Sequence, residues 1–288
     1  MTVEELQLKL VRYGDSGAEK PGLLGADGHV RDLSGIVDDI GPATLAPESL
    51  QRLAAIAPET LPIVPAGMRL GPCVGGTRKM VCIGLNYRDH AVEAGKAVPS
   101  EPMIFMKAIS AIVGPNDDVL VPRGAERMDL EVELGVVIGT RAKYVTEADA
   151  RAHVAGYCLV NDLSERNFQS RREGQFTKGK SCDTFGPVGP WLATPDEIGD
   201  VHQLRMFSEV DGVTFQNSTT ADMVFKVPFL ISYLSQFFTL EPGDIIATGT
   251  PAGVGMGKKP PEFLRAGQTI RIGIDGLGVQ RQVLIADQ

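Results

Sequence analysis

The stretch Asp129-Leu-Glu-Val-Glu-Leu-Gly-Val-Val-Ile-Gly139 sets two glutamates, Glu131 and Glu133, inside a run otherwise patterned as a buried strand. Side chains along a strand alternate between its faces. Glu131, Glu133 and Gly135 therefore share one face, and Val132, Leu134, Val136 and Ile138 share the other. Two carboxylates this close need a cation, and hard divalent ions such as Mg²⁺ and Mn²⁺ take oxygen ligands of this kind. Taken alone, the pair also fits the solvated face of an edge strand.

Outward from this segment the sequence is strand-rich and punctuated by Gly and Pro. Strands are expected over 80–85, 103–107, 118–121, 131–139, 154–160, 207–210, 244–247 and 269–274. Helical spacing appears over 146–154, after Asn86, after Ser164, and over 227–238. Strands that outnumber helices without regular βαβ alternation indicate a β-rich α+β fold. Residues 1–75 read as a small N-terminal α+β domain, with a strand over 8–13, turns over 22–28 and a helix over 47–56. The breakers in 65–76 place a boundary there, leaving 76–288 as the catalytic domain.

The 288 residues can bury a sizeable core, and 43% hydrophobic with 22% charged residues is an ordinary globular balance. A net charge of −8 argues against nucleic acid and offers a membrane surface no basic patch. Cys73, Cys82, Cys158 and Cys182 show no metal-site or disulfide spacing, so free thiols in a reducing compartment are expected. No apolar run is long enough to span a membrane, and the polar start Met-Thr-Val-Glu-Glu-Leu lacks a signal peptide's apolar core. A cytoplasmic protein is the expectation.

Several polar constellations accompany the glutamate pair. Asp162 ends a strand in Asn161-Asp162, ahead of Ser164 as a plausible helix N-cap. Arg166 and Gln169, three apart on one helical face, could hold a carboxylate and a carbonyl, although solvated helix residues share that spacing. His90 and Glu93, also three apart, suit a histidine base oriented by a carboxylate, and equally an exposed helix. The run 174–190 holds too many glycines and prolines for regular structure, yet carries Lys180. Thr248-Gly-Thr-Pro-Ala-Gly-Val-Gly255 could bring backbone N–H and threonine hydroxyl groups to a ligand's carboxylate, or simply connect strands.

In this order, the segments Asn-Tyr-x-x-His-x-x-Glu-x-Gly (86–95), Asp-x-Glu-x-Glu-Leu (129–134), Asn-Asp-x-Ser-x-Arg-x-x-Gln (161–169), Gly-Lys-Ser-x-Asp-Thr-Phe (179–185) and Thr-Gly-Thr-Pro-x-Gly-Val-Gly (248–255) resemble the fumarylacetoacetate hydrolase family. The resemblance covers about residues 79–288. It implies a mixed β-sandwich roll, a homodimer, and Mg²⁺ or Mn²⁺ on Glu131, Glu133 and Asp162. It also implies His90 and Glu93 on a mobile lid, Lys180 as a cation near the substrate, and Tyr87, Arg166, Gln169 and Thr250 as substrate contacts. The implied substrates are 2-keto acids. The leading expectation is hydrolysis of the C3–C4 bond of a 2,4-diketo acid, an acylpyruvate or a 2,4-diketo-3-deoxy sugar acid, to pyruvate and a carboxylic acid. Oxaloacetate decarboxylation, isomerisation of a 2-hydroxy-dienedioate, and a catalytically idle metal-binding role share every motif. Three positions depart from the family pattern: Leu130 stands where members often have an aromatic residue, and Cys182 and Gly186 stand where they often have Phe and Cys.

Overall fold

In the computed structural model, which describes residues 6–287, Val132–Ile138 is an interior strand, not an edge. It pairs antiparallel with Val154–Asn161 on one side and with Ile245–Ala247 on the other. Around this trio the sheet grows to nine strands, in the order Val30–Asp32, Lys20–Leu24, Lys9–Tyr13, Leu192–Ala193, Val154–Asn161, Val132–Ile138, Ile245–Ala247, Met80–Gly84 and Met103–Lys107. A second, five-stranded sheet runs Val213–Thr219, Arg205–Val210, Thr269–Ile274, Gly278–Ala286, Val119–Val121. Helices are few, and the longest is Val227–Phe237. This is the strand-rich α+β architecture the sequence predicts.

The period-2 pattern of the central strand matches the two hydrophobic cores. Val132, Leu134, Val136 and Ile138 belong to a core shared with Met206, Ile270, Ile272 and Leu284 of the second sheet. Val137, on the opposite face, joins Cys82, Cys158, Val160 and Ala247. Gly135 is required here for packing: a Cβ would lie 2.7 Å from Cys158 Sγ and 2.8 Å from Val160 Cγ2.

Lys9–Tyr13 pairs with Leu192–Ala193, so the N-terminal strands extend the central sheet. Leu10, Leu33, Leu45 and Leu53 share a core with Val160, Val188 and Ile245. The sheet and this core therefore run across the division expected at residue 75. Residues 1–5, part of the polar start discussed above, lie outside the described residues.

Three expectations are corrected. Residues 20–24 form a strand where turns were predicted from Gly22 on, and the 146–154 region holds only a 3-10 turn, Ala150–His153. The glycine-rich run 174–190 contains a one-turn helix, Thr177–Lys180, which carries Lys180 inward. The sequence reading passes over Gly278–Ala286 because Gln280 and Gln282 are fully buried on its core side, where an apolar pattern was sought. Gln280 donates to the carbonyls of Leu159 and Gly189, and Gln282 accepts from Asn161 Nδ2. Among the described residues no helix is long and apolar enough to cross a membrane.

Candidate active site

The antiparallel register sets Val160 opposite Glu133 and Asn161 opposite Val132, which brings Asp162, just past the strand end, beside the glutamate pair. One carboxylate oxygen each from Glu131, Glu133 and Asp162 lies within 4.8 Å of the other two, and all three residues are buried. Backbone bonds fix the arrangement: Asp162 N–H donates to Glu131 O at 2.9 Å, and Gly249 N–H donates to Glu133 Oε2 at 2.9 Å. Among the described residues no hydrogen bond reaches the second oxygen of Glu133.

Cations surround this cluster. Lys180 Nζ sits 2.6 Å from Glu131 Oε2 and 2.8 Å from Asp162 Oδ2. Lys107, at the end of the Met103–Lys107 edge strand, bonds Asp162 Oδ1 and the Leu163 carbonyl. Arg166 Nε donates to Asp129 Oδ2 at 2.9 Å and its Nη1 to Gln169 Oε1 at 3.2 Å. Arg166 Nη2 lies 2.7 Å from Glu131 Oε1 and 2.8 Å from Asp129 Oδ2, an ion pair to each. Four acidic groups (Asp129, Glu131, Glu133, Asp162) face three basic ones (Lys107, Lys180, Arg166). Burial raises the Glu131 carboxyl, but Lys180 and Arg166 outweigh it and hold it at about 2. Glu133 is pushed well above the carboxylate range by burial and by the charges of Asp162 and Glu131. For Lys180, burial lowers the ammonium pKa, but Asp162 and Glu131 outweigh it and keep the group charged.

The donor set fits a hard divalent ion: one oxygen from each of three buried carboxylates converges on the same point of the fold, within 4.8 Å of the other two. Mn²⁺ or Mg²⁺ at about a hundredfold over its Kd is expected to add about 2.7 kcal/mol of stability, a rise in Tm of roughly 5–10 °C. Glu133→Gln should remove most of that rise in a thermal-shift titration. An unchanged shift in this variant would overturn the assignment.

Beside the cluster opens a cavity of about 340 Å³, lined among others by His90, Glu93, Glu131, Glu133, Arg166, Gln169, Lys180 and Thr250. Asp162 lies beneath, fully buried. His90 and Glu93 stand on the short helix Arg88–Glu93, with His90 Nδ1 3.2 Å from Glu93 Oε2. Asn86 anchors the entry to this helix, donating to Thr248 O at 2.7 Å and accepting from Phe225 N–H.

The 248–257 loop binds carboxylates through its backbone, as its small residues allow, but the carboxylates are the protein's own. Gly249 N–H serves Glu133, Gly253 N–H serves Glu93 Oε1 at 2.9 Å, and Gly255 and Met256 N–H serve Asp129 at 2.7 and 3.0 Å. The hydroxyl of Thr250 donates to Val132 O and accepts from Gln216, so Thr250 reaches the cavity with its donor already committed. Tyr87 does not join the site. Its backbone precedes the helix in extended conformation, its ring is fully buried, and its hydroxyl meets Met206 Sδ at 3.4 Å. Nor is Ser164 the N-cap of the next helix: Glu165 caps it, accepting from Phe168 N–H at 2.6 Å, while Ser164 Oγ bonds Asp162 O.

Three participants escape sequence reasoning. Lys107 leaves one trace, a lysine in period-2 register with the cavity-lining Met103 and Phe105. Asp129 has the same spacing from Glu131 that Glu131 has from Glu133. Gln216, which holds Thr250, leaves none.

Residues 79–285 match the family described as fumarylacetoacetate (FAA) hydrolase C-terminal. A Burkholderia ambifaria protein named "Putative hydrolase" is 57% identical over 276 residues, covering 96% of this chain and 98% of its own. The structure resembles fumarylacetoacetate hydrolase from Exiguobacterium antarcticum with a TM-score of 0.86 at 33% identity, covering 97% of this chain and 100% of that one. It also resembles maleylpyruvate hydrolase from Sphingobium sp. SYK-6, solved with manganese(II) and pyruvate, with a TM-score of 0.81 at 28% identity over 97% of this chain and 100% of that one.

Proposed function

The chain belongs to the fumarylacetoacetate hydrolase family, and from that premise we propose that it is a divalent-metal-dependent hydrolase of 2,4-diketo acids. It would cleave the C3–C4 bond of an acylpyruvate to give pyruvate and a carboxylic acid. The observation that carries this reading is one cavity lined by a carboxylate-oriented histidine, by Glu131 and Glu133 of the three-carboxylate cluster, and by an ion-paired guanidinium.

Glu131, Glu133 and Asp162 would hold Mg²⁺ or Mn²⁺, which when bound supplies Lewis-acid stabilisation of charge at the keto acid end of the substrate. Arg166 and Gln169, which line the cavity beside the cluster, bind the substrate's C1 carboxylate. Glu93 orients the His90 imidazole, which takes a proton from the water that attacks C4. Lys180 spends two N–H groups on Glu131 and Asp162 and keeps one for the developing oxyanion. The pair of electrons released from the C3–C4 bond takes up at C3 the proton that His90 removed from the water, completing pyruvate and returning His90 to its starting state.

Pyruvate release by Mn²⁺-loaded protein tests this, with a panel of acylpyruvates set beside oxaloacetate. Equimolar pyruvate and an acyl-derived acid is the expected result. Pyruvate with CO₂ from oxaloacetate alone would replace the hydrolase with a decarboxylase.

A further inference from the structure

We propose that Lys96 is a specificity-determining residue, reading a carboxylate at the end of the substrate remote from its 2-keto acid group. The inference rests on the reading of this cavity as a 2-keto acid site. Its lining is divided in kind. The charged floor holds Arg166 and Lys180, both ion-paired to the protein's own carboxylates. The wall is apolar, formed by Ile83, Met103, Phe105, Phe176, Val254 and Met256. Phe105 and Phe176 meet edge to face with centroids 5.5 Å apart. Hydroxyl groups buried against such a wall would lack partners, at a cost of about 1–3 kcal/mol each, which favours an apolar chain over a polyhydroxylated one.

Lys96 is the third lysine or arginine of the lining. It is exposed, and unlike the other two it has no ion pair and no side-chain hydrogen bond among the described residues. Its place is set by the end of the Arg88–Glu93 helix. Gly95 takes φ +64°, its N–H bonds Val92 O, and Lys96 N–H bonds Ala91 O at 2.9 Å, a closing turn that favours glycine. Glu93, the nearest acid on the same element, is occupied by His90 and Gly253 N–H. The ammonium thus stands three residues past the helix that carries His90, in the same cavity as the apolar wall. A diacid spanning the cavity would place one carboxylate on the floor and the other on Lys96, drawing His90 and Glu93 over the bond to be broken.

Calorimetric titration of Mn²⁺-loaded protein with saturated 2-oxo diacids of increasing chain length, each beside the 2-oxo monoacid of equal length, tests this without turnover. The wild type is expected to bind the best diacid about fivefold or more tighter than its monoacid, the scale of one half-solvated ion pair. Lys96→Met should erase that preference while monoacid affinity stays unchanged, and Lys96→Glu should invert it. A wild type without preference, or a preference that survives Lys96→Met, overturns the role of Lys96 while leaving the 2-keto acid site standing. Failure of diacids and monoacids alike to bind overturns both readings.

Discussion

His90→Ala is expected to lower kcat for carbon–carbon hydrolysis by about 10²–10⁴-fold, the range for a positioned general base. The imidazole is held at Nδ1 by Glu93, and Glu93 is held by Gly253 N–H, so no other basic side chain of the cavity is poised in the same way. Substrate affinity should change little, because the contacts assigned to binding lie on Arg166 and Gln169. The variant should retain its Mn²⁺-dependent thermal shift, which separates loss of the base from loss of the site. Single-turnover pyruvate release provides the measurement. A kcat within about threefold of wild type, less than about 1 kcal/mol in barrier, would remove His90 from water activation.

In metal-free protein, Asp162→Ala is expected to cost about 3–5 kcal/mol, while Glu133→Gln leaves stability unchanged or raises it. Asp162 is the shared partner of two buried lysines, Lys107 and Lys180. Its removal strands their charges away from water. Glu133 accepts only Gly249 N–H and faces two other carboxylates, so its neutral analogue relieves repulsion. The fall for Asp162→Ala corresponds to roughly 10 °C in Tm. The pH dependence has a defined sign. Because the folded-state pKa of Glu133 lies above its ordinary 4.5, its contribution is fully present below 4.5 and is lost as pH rises toward the folded value. Glu133→Gln should therefore gain on metal-free wild type as pH rises above that point. Equal destabilisation by the two substitutions would show that the cluster is not organised by its lysines as described.

The central strand was legible because its apolar residues alternate over seven positions. Asp162 could be joined to the glutamates because it ends a neighbouring strand, and His90 and Glu93 because they are one helical turn apart. Lys107 was not legible: its partner is 55 residues away, and they meet only because the Met103–Lys107 strand closes one edge of the sheet. Tyr87 misled for a local reason. It stands three residues before His90, but its extended backbone takes it out of the helical register, and the core offers its ring more burial than the cavity does. The 248–255 segment could be read as a ligand cradle or as a plain connection, because glycine spacing reveals that backbone amides are accessible but not which anions they serve.

Since the 248–257 loop serves Glu133, Glu93 and Asp129 through peptide N–H groups alone, its apolar side chains are released from that task. Met256, exposed on the apolar wall, can be exchanged for smaller or bulkier residues without rebuilding the apparatus that breaks the bond, whereas Val254 is fully buried and leaves room for smaller residues only. The scaffold is modular at this point, and its range of accepted acyl groups can drift, or be retailored, one side chain at a time.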